Sequence, residues 1–302
     1  MSLTRRQFGL LALLTLVWGL NWPVMKLGVT DFPPLTFRAL SMAFGLPVLG
    51  AALLLMKVPF RVERRDWPEL FKLTVTNMLV WHVFVILAVR ELSSGRAAIL
   101  GYTMPIFSAL WGLALFGQRL SGRQQAGVAA AGVGVALLLW HELGHIAGRP
   151  SGALGMLLAA AVWALGTQQL RRTTLHVATL TASFWMTALT TAVMTLLAAL
   201  WEAPQWRMPP PPALWAIAYN AVGVFGFAHA AWFFLARGLP PVASTISVML
   251  IPVLGTLSGA LWLRETLFWQ DAAAMLLMAV AIALVLWPSQ GRASDQPAES
   301  SA

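Results

Sequence analysis

The sequence predicts an all-α polytopic membrane protein, ten transmembrane helices built as two inverted five-helix repeats. Three observations carry that expectation. The 302 residues are 59% hydrophobic and 10% charged, with mean hydropathy +0.73, so there is too little polar surface to cover a water-soluble fold. Apolar runs of about 20 residues, the length that crosses a bilayer core as helix, follow one another with short connections. The second half of the chain also repeats the first. His82 and Arg90 recur as His229 and Arg237, and the match continues without a gap. It pairs Pro105 with Pro252, Gly112 with Gly259, Leu120 with Leu267 and Trp140 with Trp287. Reading 82–140 against 229–287 gives 14 identities in 59 positions. The shared prolines, histidines and arginines decide the matter, because unrelated apolar stretches share leucine and alanine by composition alone.

The spans fall near 7–27, 34–56, 68–89, 95–117, 122–140, 151–171, 178–201, 212–235, 242–262 and 268–287. Their charges gather at the ends. Arg5 and Arg6 precede the first span, Asp31 follows it, and Lys57 closes the second. Arg61, Glu63, Arg64, Arg65, Asp66, Glu69 and Lys72 crowd the start of the third, and Arg90 and Glu91 end it. Arg119 and Arg123 separate the fourth from the fifth, and Glu142 and Arg149 the fifth from the sixth. Arg171 and Arg172, Glu202 and Arg207, Arg237, then Arg264, Glu265 and Asp271 mark the remaining connections. The first repeat is thus expected over 1–148 and the second over 149–288. The polar tail over 289–302, rich in Ser, Ala, Pro and Gln, is expected to be disordered.

The net charge of +9 is a topology signal rather than a nucleic-acid footprint. With the N-terminus cytoplasmic, thirteen Lys and Arg fall on the inner side and six on the outer, with Arg38 left inside a span. Both termini are therefore expected in the cytoplasm. The partners expected are membrane lipid and a small-molecule substrate, with no nucleic acid, no cofactor and no required oligomer. The absence of cysteine excludes disulfides and thiolate metal sites. Five is an odd number, so consecutive copies enter the membrane in opposite orientations, and Val17-Trp18 in the first helix answers Val162-Trp163 in the sixth. Inverted repeats suit alternating access, since exchanging the two copies' conformations converts an outward-open state into an inward-open one. The pattern points to transport.

Two motifs point elsewhere. Thr4-Arg5-Arg6-Gln7-Phe8-Gly9-Leu10 resembles a twin-arginine export signal. No small-residue cleavage site follows, and Val17-Trp18 belongs to the repeat, so a retained first helix is expected. His141-Glu142-Leu143-Gly144-His145 fits the pattern of a zinc hydrolase, two histidines a helical turn apart beside a general-base glutamate. That chemistry needs a helix, and Gly144 and Gly148 oppose one at about 1 kcal/mol each relative to alanine. A solvated loop holding no metal is expected, with a membrane zinc hydrolase using His141, Glu142 and His145 as the alternative. All eleven acids fall at span ends, in loops or in the tail. Ion pathways usually use buried carboxylates, so transport down the substrate's own gradient is expected.

The candidate site is drawn from polar and aromatic residues within spans. His82 and His229 occupy matched positions, where a neutral imidazole can bind substrate or titrate near neutrality; helix–helix hydrogen bonding is the alternative. Asn77 lies on the same helix as His82. Trp18 and Trp163 are repeat equivalents that face one another if both line a cavity, and Tyr102 lies equally deep. These six form the expected substrate site. Arg38 is expected either to snorkel to the interface or to act as a gating or carboxylate-binding cation. Asn21 and Gln168 are gate or capping candidates. Pro105 and Pro252 are expected as matched hinges, because proline inside a helix removes one backbone hydrogen bond and clashes one turn back. Trp22 and Trp140 are assigned to the interfacial belt.

These residues resemble a known family. Trp18-Gly19-Leu20-Asn21-Trp22, Arg38 and the two proline helices are similar to EamA-type members of the drug/metabolite transporter superfamily. The turns Gly117-Gln118-Arg119-Leu120-Ser121 and Arg264-Glu265-Thr266-Leu267 each match half of the family's usual Gly-Glu pair. The resemblance spans about residues 8–288 and rests on the duplicated whole. It implies a bacterial inner-membrane exporter of metabolites, most similar to YddG-like exporters of aromatic and other neutral amino acids. Drug or purine export within the same superfamily is the alternative. A carrier of organic phosphates would place several cations in its cavity, and only Arg38 is available here.

Overall fold

The computed structural model describes residues 4–144, 150–228, 231 and 241–286. Helix α1, Arg5–Thr30, starts on a capping box: Thr4 Oγ1 accepts from Gln7 N at 3.2 Å, and Gln7 Oε1 accepts from Thr4 N at 3.0 Å. Helix α2, Pro34–Leu55, begins with proline, whose fixed φ and missing N–H suit the first turn. Lys57, at φ 54°, ends it. The third span, Arg64–Glu91, contains α3 (Trp67–Thr74) and α4 (Val80–Glu91), joined by a π turn over Val75–Leu79. The fourth is broken into α5 (Ser94–Gly101) and α6 (Met104–Phe116) at Tyr102 and Thr103.

Helix α7 is Gly122–Gly144, α8 Pro150–Leu170 and α9 Thr179–Trp201. Helix α10, Pro211–Ala218, runs into a π stretch over Tyr219–Ala228. Helix α11, Pro241–Leu263, and α12, Trp269–Leu286, are the last described elements. Helix occupies part of each of the ten expected spans, and no strand occurs among the described residues. Eight segments there are long and apolar enough to cross a membrane, with Met249–Leu263 a shorter apolar stretch. Exposed leucines and aromatics such as Phe44, Leu55, Leu115, Leu261 and Leu276 face outward. That surface suits lipid, where helices satisfy their own backbone polar groups.

Two local expectations change. The segment 141–144 is the last turn of α7 rather than loop; a glycine costs little at a helix end, where few backbone bonds depend on it. His145 lies outside the described residues. Pro105 is not inside a helix. It stands in the first turn of α6, because the chain breaks at Tyr102 and Thr103 and restarts at Met104, where proline is tolerated. Pro252 does sit inside continuous α11.

Packing follows close approach at small residues, the usual device of helices in lipid. Helix α1 lies against α11, α2 against α9 and the π stretch, α4 against α8, and α7 against α12. Helix α5 packs on both α8 and α11, and α6 on α8. A Cβ on Gly19 would stand 2.6 Å from Leu254 Cβ, and one on Gly255 3.0 Å from Trp22, so glycine permits the α1–α11 contact.

Candidate functional site

Arg38, one turn into α2, is only 2% exposed. Rather than reaching back to an interface, it points into the bundle. Its Nη1 donates to Asn220 Oδ1 at 3.3 Å, and Nη2 lies 2.7 Å from the thioether sulfur of Met25. The guanidinium stands 5.8 Å from the ring centroid of Phe225, within cation–π range. Its Nε has no acceptor among the described residues. Asn220 donates its own amide nitrogen to the Ala216 carbonyl at 3.0 Å, which turns Oδ1 toward the arginine. His82, buried on α4, packs its ring against the same Phe225 at 5.5 Å.

Helices α2 and α4 thus bring a cation and an imidazole onto one aromatic ring, and the π stretch and α1 add an amide and a thioether against the cation. Gly45 makes the approach possible: a Cβ there would stand 2.6 Å from Phe225 Cβ. Glu202, at the end of α9, fixes the start of α2. Its carboxylate accepts from Leu35 N at 3.0 Å and from Thr36 N and Oγ1, both at 2.7 Å. Helix α2 has no cap of its own, so this acid satisfies its first amides and complements the positive helix end.

An aromatic group adjoins this centre. Trp22, one turn before Met25 on α1, meets Tyr102 edge-on at 6.4 Å, and Trp81, next to His82, meets Trp163 of α8 at 5.4 Å. The two pairs come together over Gly101, where a Cβ would stand 2.8 Å from Trp22 and 3.4 Å from Trp81. Trp22 is therefore a core residue, 4% exposed, and not part of an interfacial belt. Trp18 is half-buried one turn earlier on α1. Asn21 is buried, and its Oδ1 has no donor among the described residues.

Asn77 and Gln168 belong to a second cluster. Asn77 packs on Gly166 of α8 and donates to the Leu73 carbonyl at 3.2 Å. Gln168 donates to the carbonyl and hydroxyl oxygens of Ser108 at 2.8 and 3.0 Å and accepts from Arg172 at 2.6 Å, stapling α6 to α8. Arg172 also lies 3.9 Å from the Phe116 ring centroid. His229, the repeat partner of His82, lies outside the described residues, so the expected six-residue group is described here only in part.

A third cluster joins α5 to the α11–α12 turn. Glu265 accepts from Ser94 N and Oγ, each at 2.8 Å, and so caps α5. Gly259 leaves room for it. The matched turn after α6 has the same backbone: Gly117 and Arg264 are both left-handed, at φ 63° and 53°. The next amide bonds back to the Gly112 carbonyl in one turn and to the Gly259 carbonyl in the other. Gln118 takes the place of Glu265 and lies against Gly112.

Sequence reasoning passed over Asn220, Phe225 and Met25. Asn220 had a signal, as a polar residue in an apolar span; Phe225 and Met25 had none, being apolar among apolar neighbours. Among the described residues no group of three or more His, Cys, Asp or Glu is placed to hold a metal. A surface depression of about 340 Å³ lined by Arg5, Arg6, Gly9, Leu10 and Leu13 lies at the other end of α1, roughly 25 Å along the axis from Met25.

Comparison with known proteins places this architecture. The chain is 22% identical over 252 residues to the uncharacterized transporter YoaV of Bacillus subtilis, covering 83% of this chain and 86% of that one. It is 26% identical over 286 residues to the uncharacterized inner membrane transporter YedA of Escherichia coli, covering 92% and 90%. A solved crystal structure 23% identical in sequence superposes with a TM-score of 0.65, covering 93% of this chain and 97% of that one, which shows a shared fold. The sequence profile of the EamA-like transporter family matches twice, over residues 7–140 and 150–287. With both halves matched, this chain belongs to the EamA-like transporter family, as a multi-pass membrane transporter.

Proposed function

We propose that this transporter exports small amphipathic metabolites, foremost aromatic and other neutral amino acids, across a bacterial inner membrane by alternating access. In this reading, ten transmembrane helices form two five-helix units, 1–148 and 149–288, of opposite orientation, with both termini cytoplasmic. The observation that carries the substrate class is the composition of the Arg38 centre. One cation and two hydrogen-bonding side chains, Asn220 and His82, are joined through α1 and α4 to the pairs Trp22–Tyr102 and Trp81–Trp163. A neutral amino acid offers the complementary set: an anionic group, a hydrogen-bonding group and an apolar side chain.

The helix pairings support the two-unit reading. Exchanging each helix for its repeat equivalent turns α1 on α11 into α8 on α5 and α6. The same exchange turns α2 on the π stretch into α9 on the third span, and leaves α7 on α12 and α2 on α9 unchanged. The break before Pro105 and the unbroken helix around Pro252 are then one hinge in two settings. Every acid in the sequence stands at a span end, in a connection or in the tail, which favours movement driven by the substrate's own gradient.

Proteoliposomes preloaded with labelled amino acids, purines and dyes test the proposal. Saturable efflux of tryptophan, phenylalanine and leucine is expected without an imposed proton or sodium gradient. Trp163→Ala and His82→Ala lower that efflux by about tenfold at equal protein level, with Trp140→Ala as the lipid-face control. Efflux confined to purines or dyes, or variants as fast as the parent, overturns it.

A further inference from the structure

We infer that Arg38 is a binding site for the carboxylate of the transported molecule, and that carboxylate recognition is what selects this carrier's substrates. The inference deepens the function proposed above and rests on that reading. It starts from a buried charge with no opposite charge beside it among the described residues. Arginine stays protonated even when buried, and inside a bundle surrounded by lipid a cation needs an opposite charge or strong acceptors. Apart from Asp66, which has only His176 at 3.9 Å, the other buried and half-buried charges described here have them. Arg96 pairs with Asp271 at 2.7 Å, Glu202 and Glu265 each cap a helix, and Lys26 donates to the carbonyls of Arg90 and Leu92 at 2.9 and 2.8 Å. Arg38 has a thioether, which is a weak acceptor, one amide oxygen at the long end of the hydrogen-bond range, and a ring face.

None of the described acids supplies the missing anion. Of the eleven acids, Asp31, Glu63, Asp66, Glu69, Glu91, Glu202, Glu265 and Asp271 are described, and none makes an ion pair with Arg38. With no described acid paired to Arg38, the counter-charge is assigned to the transported molecule. A guanidinium with Nε and an Nη edge held by weak or absent acceptors presents the fork that a carboxylate takes in two parallel bonds. The Trp22–Tyr102 pair, one turn away on α1, receives the apolar end of the same molecule.

The test compares ligands that differ only in the charged groups. Binding of labelled phenylalanine to the purified transporter is measured in competition with 3-phenylpropionate, phenylalaninamide, phenethylamine and chloride. Phenylalanine and 3-phenylpropionate are expected to compete, while the amide and the amine compete roughly a hundredfold more weakly. Arg38→Gln and Arg38→Met abolish the acid-over-amide preference, and Arg38→Lys retains part of it. Arg38→Met also melts at or above the parent's temperature, because a buried charge is replaced by an apolar chain of similar length; a marked fall instead assigns Arg38 a structural role and overturns the inference. The acid–amide comparison on the unmodified protein decides the matter even if the variants do not fold. Equal competition by acid and amide, or competition by chloride as strong as by 3-phenylpropionate, also overturns it. Amino acids that move with no acid–amide difference sink this inference and leave the exporter reading intact. Arg38-dependent binding of 3-phenylpropionate with no amino-acid transport does the reverse.

Discussion

Glu265→Gln isolates one contact between the two halves of the chain. The carboxylate accepts two hydrogen bonds from Ser94, both at 2.8 Å and part-buried. Bonds to a charged group are worth about 1.5–3 kcal/mol each, and neutral ones about 1. A glutamine keeps one acceptor oxygen, so the variant loses about 2 kcal/mol of the contact holding α5 on the α11–α12 turn. If opening of this face separates those elements, the closed-to-open ratio falls roughly thirtyfold. The native chain has no cysteine, so a single introduced thiol reports without background. Ala98→Cys places it where α5 faces α11: the site is fully buried, and a Cβ on Gly255 would stand 3.1 Å from Ala98 Cβ. An impermeant maleimide added outside cells, the side this turn faces in the proposed topology, then labels Glu265→Gln about thirtyfold faster than the parent, and Ser94→Ala by an intermediate factor of roughly five. A labelling rate unchanged in Glu265→Gln refutes the view that this carboxylate holds the face closed.

Further outcomes follow from the backbone. Gly117→Ala should lower stability by about 1 kcal/mol, since a methyl there meets nothing and only the left-handed backbone is strained. Arg264→Gly at the matched turn should raise it by about 0.5 kcal/mol, the relief of strain exceeding the added freedom of the unfolded chain; reversible unfolding in mixed micelles, followed by tryptophan fluorescence, measures both. Pro105→Ala permits the missing backbone bond and joins α5 to α6, and Pro252→Ala straightens α11. Each is expected to reduce turnover about fivefold with substrate affinity unchanged, and a loss of affinity alone would count against a hinge role.

How far the sequence revealed this molecule depended on the kind of signal. Span positions were legible because apolar length is a one-dimensional property, and the twofold match was legible because prolines and histidines are rare in apolar runs. The πturn at Val75–Leu79 and the break at Tyr102 were not, since neither interrupts hydrophobicity. Arg38 was visible as an anomaly, yet its burial was not: reaching back to the interface and pointing inward use the same position in the sequence. Asn77 and His82 are five residues apart, and the π turn between them sends one to Gly166 and the other to Phe225. The grouping of Arg38 with Asn220, 182 positions apart, depended on tertiary contact alone.

That π turn also governs how motion passes along the third span. It holds more residues than an α-helical turn, so the segments before and after it are phased independently about the axis. Helix α3 packs on α9 and α4 on α8, so one continuous helix changes partners at the turn. A rigid rod would carry any roll of α9 straight through to His82. With wider, poorer hydrogen bonds at the joint, α3 can roll with α9 while α4 keeps His82 seated on Phe225. The helix then passes on a push along its length but absorbs a twist.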